Sequence, residues 1–241
     1  MPAPRPSHSA LDVIARAKAK LATSGARPLA AALSRPRLLR GPHVEAPFDA
    51  RVLTTPRLVL RAHALRDADA WYELQAHPDV LRFLSWPERT RQESRAHLHD
   101  RVRRTRLWQT DDFLALAVER DGRLIGEISL HLRSVPSEVR SVEIGWLLDP
   151  RFGGNGYATE AAVATLRAAF DELGVKIVFA VVHVENEHSL RLAERLGFRE
   201  AHRDRATRLM TLSRWDFLDS IARAPLLRDV LAVMDATAGR R

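Results

Sequence analysis

Three glycines fall within four positions of the stretch Asp149-Pro150-Arg151-Phe152-Gly153-Gly154-Asn155-Gly156-Tyr157-Ala158-Thr159-Glu160. Glycines at this density let successive backbone N–H groups crowd toward one centre, where an anion can be held by main chain alone. Ala162, Leu166, Ala169, Phe170 and Leu173 follow at the spacing of a helical stripe, so the loop runs into a helix start with its unpaired donors and positive dipole end. The chemistry this suits is the grip of a pyrophosphate. Just upstream, Val142 to Leu148 is β-branched, aromatic and apolar apart from one carboxylate, Glu143. A carboxylate in such a strand is either a structural partner for an arginine or, if burial weakens its charge, a proton acceptor.

The loop lacks the third glycine of a dinucleotide fingerprint and the lysine of a P-loop, because Gly156 is followed by Tyr157-Ala158-Thr159. A tight strand-to-helix turn with no ligand is the plain alternative. With no cysteine in 241 residues, disulfides, thiolate metal sites and a catalytic thiol are excluded, and the ten histidines show no metal-helix pattern. No run reaches the roughly 20 apolar residues of a membrane span. The net charge of +8 suits an anionic cofactor or substrate, and no zinc-finger, RNP-like or helix-turn-helix signature supports nucleic acid as a partner.

Several elements must position the loop. Residues 1–50 form a basic, proline-containing stretch with few acids, which predicts a disordered or loosely docked extension; a targeting segment is the alternative. Thr54 to Arg61 predicts a first strand. Asp67 or Asp69 can cap a helix ending before Pro78, and Thr90-x-x-Glu93 predicts a capping box for a helix running to about Trp108. Phe113–Glu119 and Leu124–Leu132 flank Asp121-Gly122 and predict a hairpin, continued by the strand before the glycine loop as an antiparallel meander. Beyond Gly174, Val175 to Val184 is an almost continuous apolar run, which predicts a strand joined to the earlier one by a parallel crossover. Asn186 is a natural N-cap for the helix after it. Two closing strands are expected within Arg199–Arg205 and Leu209–Trp215, then a helical tail broken at Pro225.

Three segments in order, Thr55-x-Arg57-Leu58-x-Leu60-Arg61, Arg151-x-x-Gly154-x-Gly156 and Asn186-x-x-Ser189 with Arg195-Leu196-Gly197-Phe198, resemble the motifs of the GNAT N-acetyltransferases, and the first is similar to the RimJ/RimL-like branch. The resemblance covers roughly residues 53–218. It implies an α/β GNAT fold, a mixed and mostly antiparallel sheet with a parallel crossover at the acetyl-CoA site. It also implies acetyl transfer from acetyl-CoA, as co-substrate and without a metal, to a primary amine on a protein N-terminus or a small molecule. On this resemblance Leu147 and Leu148 offer main chain to the pantetheine arm. Arg151, Gly153, Gly154, Asn155, Gly156 and Ala158 surround the pyrophosphate, and Asn186 touches the coenzyme arm. Glu143 becomes the candidate base. Many family members carry a tyrosine acid where this chain has Ala193, which leaves Ser189 as the candidate proton donor.

These readings divide the chain into an extension (1–50), an acetyltransferase domain (51–218) and a C-terminal helical tail (219–241), in a cytoplasmic protein with no membrane partner. Oligomeric state is left open, a dimer included. Ala193 admits a rival, a catalytically silent acyl-CoA-binding module.

Overall fold

The computed structural model describes residues 42–84 and 86–238. Residues 1–41, which hold most of the expected extension, lie outside the described set. His43–Asp49, assigned above to that extension, is instead strand β1, with Val44 buried in the core. Thr54–Arg61 is not one strand. Thr55 and Pro56 turn the chain between β2 (Leu53–Thr54) and β3 (Val59–Ala62), an antiparallel pair closed by Thr55 Oγ1, which accepts from Leu58 N at 3.0 Å.

Helix α1 (Ala68–Ala76) is followed by the single turn α2 (Pro78–Leu81), because proline is tolerated at the first helical position. Asp67 adjoins α1 without capping it; its carboxylate accepts from Ala64 N at 2.8 Å and pairs with Arg61 at 2.7 Å. Thr90 and Glu93 form the expected capping box of α3 (Arg91–Val102). That helix stops six residues before Trp108, and Arg106–Gln109 becomes β4, which pairs with β1.

Asp121 and Gly122 both have positive φ, the geometry of a two-residue hairpin turn, and join β5 (Phe113–Arg120) to β6 (Arg123–Ser134). Next come β7 (Ser141–Leu148), α4 (Tyr157–Asp171), β8 (Ile177–His183), α5 (Glu187–Arg195), β9 (Arg199–Arg203), β10 (Thr207–Ser213), α6 (Arg214–Arg223) and α7 (Pro225–Ala238). Among the described residues, eight strands form one sheet in the order β2-β3-β5-β6-β7-β8-β10-β9, antiparallel except for β7 beside β8.

The side-chain period of two sorts the sheet faces. Leu116, Ile128, Leu130, Val142 and Ile144 join α4 in the main core, whereas Ala117 and Leu147 meet Trp71, Leu74 and Leu98 of α1 and α3. Helix α4 is buried nearly all round, because α7 covers the flank that the sheet does not. Leu227 and Val230 of α7 are each 1% exposed, and Arg167 of α4 donates to Leu231 O and pairs with Asp235. The residues read from sequence as a tail therefore complete the core. Among the described residues no helix is long and apolar enough to cross a membrane.

Candidate active site

The parallel ladder between β7 and β8 has three rungs, Ser141↔Ile177, Val142↔Val178 and Glu143↔Phe179, and then stops. Beyond it β7 stays paired to β6 as far as Leu148, and β8 to β10 as far as His183. The facing edges of Ile144–Leu148 and Ala180–His183 therefore carry main-chain groups that no ladder uses. Between them opens a cleft of about 970 Å³, lined by both edges, the glycine loop and the start of α5. An extended amide-bearing chain can hydrogen-bond there as an inserted strand would.

The cleft ends at the glycine loop. Gly154 and Gly156 have φ of +76° and +78°, a region that L side chains with a Cβ enter at a cost, and Gly156 is the N-cap of α4. The first donors of α4 are left without helical acceptors, which suits a negative group. Gly153, Gly154, Gly156 and Ala158 all line the cleft, as do Leu147, Leu148, Asn186 and Ser189.

Arg151 and Asn155 are not brought to the cleft wall. The Arg151 guanidinium is taken by Asp149 at 2.6 Å and Glu73 at 3.1 Å, which raises its pKa further and buttresses the loop from outside. Asn155 Nδ2 donates to Gly153 O at 2.9 Å and Phe152 O at 3.2 Å, so its amide rigidifies the turn.

Asn186 caps α5 by accepting from Ser189 N at 3.1 Å. Ser189 Oγ accepts from Trp146 Nε1 at 3.1 Å. With that acceptor direction engaged, the hydroxyl proton is free to point into the cleft. Ala193 is fully buried on the inner face of α5, and Tyr157 is also packed, with Arg57 and Arg120 over its ring at 4.7 Å each.

Glu143 does not line the cleft. It sits on the last rung of the β7–β8 ladder, on the sheet face that carries α1 and α3, and Arg133 holds its Oε2 at 2.6 Å. Both Arg133 hydrogen bonds go to that one oxygen, and the Glu143 side chain is 29% exposed.

Two contributions were not foreseen. Glu160, 2% exposed in the first turn of α4, accepts from Thr55 Oγ1 at 2.6 Å, Arg57 N at 2.8 Å and Arg57 Nε at 2.7 Å. Arg57 Nη1 also donates to Asn155 O at 2.9 Å, so the first sequence motif is the brace of the second. Arg195 Nη1 donates to Thr159 Oγ1 at 3.2 Å and places a cation on the cleft wall near the start of α4; its place in the Arg-Leu-Gly-Phe segment was the available signal.

Residues 57–199, more than half of the chain, match the family described as Acetyltransferase (GNAT) domain. The chain is 28% identical over 147 residues to the uncharacterized N-acetyltransferase YnaD of Bacillus subtilis, covering 61% of this chain and 82% of that protein. Its fold is similar to RimL, a ribosomal L7/L12 alpha-N-protein acetyltransferase, with a TM-score of 0.59 at 16% identity over 68% of this chain and 94% of that one. A similar likeness, TM-score 0.54 at 19% identity over 66% and 93%, relates it to the microcin C7 self-immunity acetyltransferase MccE in complex with acetyl-CoA and AMP.

Proposed function

The chain belongs to the GNAT acetyltransferase family and is an acyltransferase, and from that premise we propose that it transfers acetyl from acetyl-CoA to a primary amine by direct attack on the thioester. The observation that carries this is the ladder that stops at Glu143↔Phe179. It leaves a slot for the pantetheine amides, aligned with an anion cradle at Gly154 and Gly156.

In this reading the pyrophosphate rests on the donors of the glycine loop and α4, with Arg195 beside it. Main chain of Leu147 and Leu148 and the Asn186 amide hold the arm. The amine nitrogen attacks the thioester carbon, a C–N bond forms, and the C–S bond breaks as the tetrahedral intermediate collapses. Ser189 gives its hydroxyl proton to the departing thiolate and is reprotonated from solvent. Glu143, through its Oε1 and a water, takes the proton that the amine loses. Main-chain donors fixed in a slot from which water is displaced need no reorganisation as charge develops.

The acceptor amine is the α-amine of a protein or an amine on a small molecule. RimL's protein N-terminal activity supports the first, and the nucleotide in the MccE complex supports the second. We place the reaction in the cytoplasm. Full-length protein should release free thiol from acetyl-CoA in the presence of amines or N-terminal peptides. Tight acetyl-CoA binding with no thiol release from any of them would favour the silent module that Ala193 suggests.

A further inference from the structure

On the sheet face opposite α4, buried donors gather without acceptors. Trp71 Nε1, Trp86 Nε1 and Arg89 Nη1 are all shielded from solvent and meet no hydrogen-bond partner among the described residues. They belong to one cluster. Trp71, 0% exposed, stacks on His97 at 5.7 Å, Trp86 meets the same imidazole at 5.6 Å, and the Arg89 guanidinium lies 4.9 Å over the Trp86 ring. An unsatisfied buried donor costs about 1–3 kcal/mol, more when charged, so three together mark a patch that an acceptor group would stabilise.

The neighbouring carboxylates are already engaged. Glu127 lies 3.1 Å from Arg101 Nε and 3.0 Å from His63 Nε2, and Glu93 is spent on the capping box of Thr90. Arg89 is left as a partly buried cation without an ion-pair partner among the described residues; burial and the charge of Arg101 pull its pKa down. Burial and the same two arginines hold His97 neutral. The unmatched atoms of Trp71, Trp86 and Arg89 are all donors, and the one acceptor beside them, Glu127 Oε2, is held by the charges of His63 and Arg101.

The cluster is tied to the cleft by chain. Val80, Arg82, Phe83 and Leu84 line the cleft, and Trp86 and Arg89 follow them closely in sequence. Across the sheet Glu127 is in register with Leu147, which is on the cleft wall. We infer that Trp71, Trp86 and Arg89 form an acceptor subsite for an anionic group, a carboxylate or phosphate, carried by the molecule whose amine is acetylated. The inference rests on the acetyltransferase reading for the word acceptor, but the anion site stands on its own donors.

The test uses full-length protein saturated with coenzyme A, so that the glycine loop is occupied. Inorganic phosphate and succinate are titrated in turn while the indole N–H resonances are followed, assigned with Trp86→Phe and Trp71→Phe. The Trp71 and Trp86 signals should move saturably with at least one anion, and the anion that acts identifies the group. Arg89→Gln should weaken that response roughly ten- to hundredfold and leave coenzyme A affinity unchanged. No indole shift with either anion, or an equal shift in Arg89→Gln, overturns the subsite. If Trp71→Phe does not fold, Trp86→Phe and Arg89→Gln decide the matter. Failure of every amine to release thiol would count against acetyl transfer and leave the indole result intact.

Discussion

Glu160 and Arg57, 103 positions apart in sequence, form an ion pair at 2.7 Å with the carboxylate 2% exposed and the guanidinium 38% exposed. The pair ties the β2–β3 turn to the first turn of α4 and, through Asn155 O, to the glycine loop itself.

Glu160→Gln keeps the shape and removes the charge from three inward donors. Breaking a fully buried pair costs about 3–5 kcal/mol, and the exposure of Arg57 reduces this to about 2. We expect that loss in thermal unfolding, together with weaker acetyl-CoA binding by calorimetry. A variant that loses stability but binds acetyl-CoA as before would show that the brace supports the fold and not the loop.

Gly156→Val forces a β-branched residue to a φ of +78°, a conformation disfavoured by about 1–2 kcal/mol, and puts a side chain where the pyrophosphate must approach. The protein should remain folded by circular dichroism while acetyl-CoA affinity falls. Unchanged affinity in the folded variant would remove the glycine loop from the coenzyme site.

The α4 stripe from Ala162 to Phe170 was legible in the sequence, yet Ala161, Val163, Ala164 and Ala168 make the helix apolar on its other flank too. A helix apolar on both flanks must be covered on both sides, which is the demand that α7 meets. The glycine loop, the Thr90 capping box and the Asp121-Gly122 hairpin could be read because their geometry is local. The β1–β4 pairing could not, because its partners stand about 60 residues apart and β1 is mostly exposed, with Val44 the one residue of the strand buried in the core. The same limit hid the Trp71, Trp86 and Arg89 cluster, which only tertiary contact assembles.

Acid should destabilise the fold through two histidines. Burial, reinforced by Arg101 and Arg89, lowers His97 to about 3, and burial with Arg133, Arg101 and Arg104 lowers His131 to about 3. Unfolded histidine titrates near 6.5, so between these values the unfolded chain binds more protons. Stability therefore falls as pH drops from about 6.5 toward 3, at up to about 1.4 kcal/mol per pH unit for each ring. Denaturant melts from pH 7 to 4 should show this slope, and His97→Gln should flatten it. An equal slope in the variant would assign the acid sensitivity elsewhere.

Ser189→Ala removes the proposed proton donor while leaving Asn186 in place to cap α5. Loss of a positioned acid lowers turnover by about 10²- to 10⁴-fold. The lower end is expected, because a coenzyme thiolate is a fair leaving group even without help. The fall should appear in kcat with acetyl-CoA affinity held. A fall in coenzyme affinity with kcat preserved would make the hydroxyl a binding group that, with Trp146, shapes the cleft.

Glu143 is the position where two roles compete on the same atoms. Arg133 engages Oε2 only, which leaves Oε1 of a side chain at the apex of the strand splay to accept a proton through water. Alkyl amines are almost wholly protonated at neutral pH, so a working base matters most there. Glu143→Gln should lower kcat/KM at neutral pH by about 10²-fold or more. The loss should shrink as pH rises and free amine becomes abundant, while acetyl-CoA affinity stays near that of the parent. Arg133→Gln separates the two roles, since it frees the carboxylate without deleting it. If Glu143 is the base, Arg133→Gln keeps the acidic limb of the pH profile that Glu143→Gln loses. If both variants keep the parent's rates and lose only stability, the pair is structural, and the amine gives its proton to bulk water.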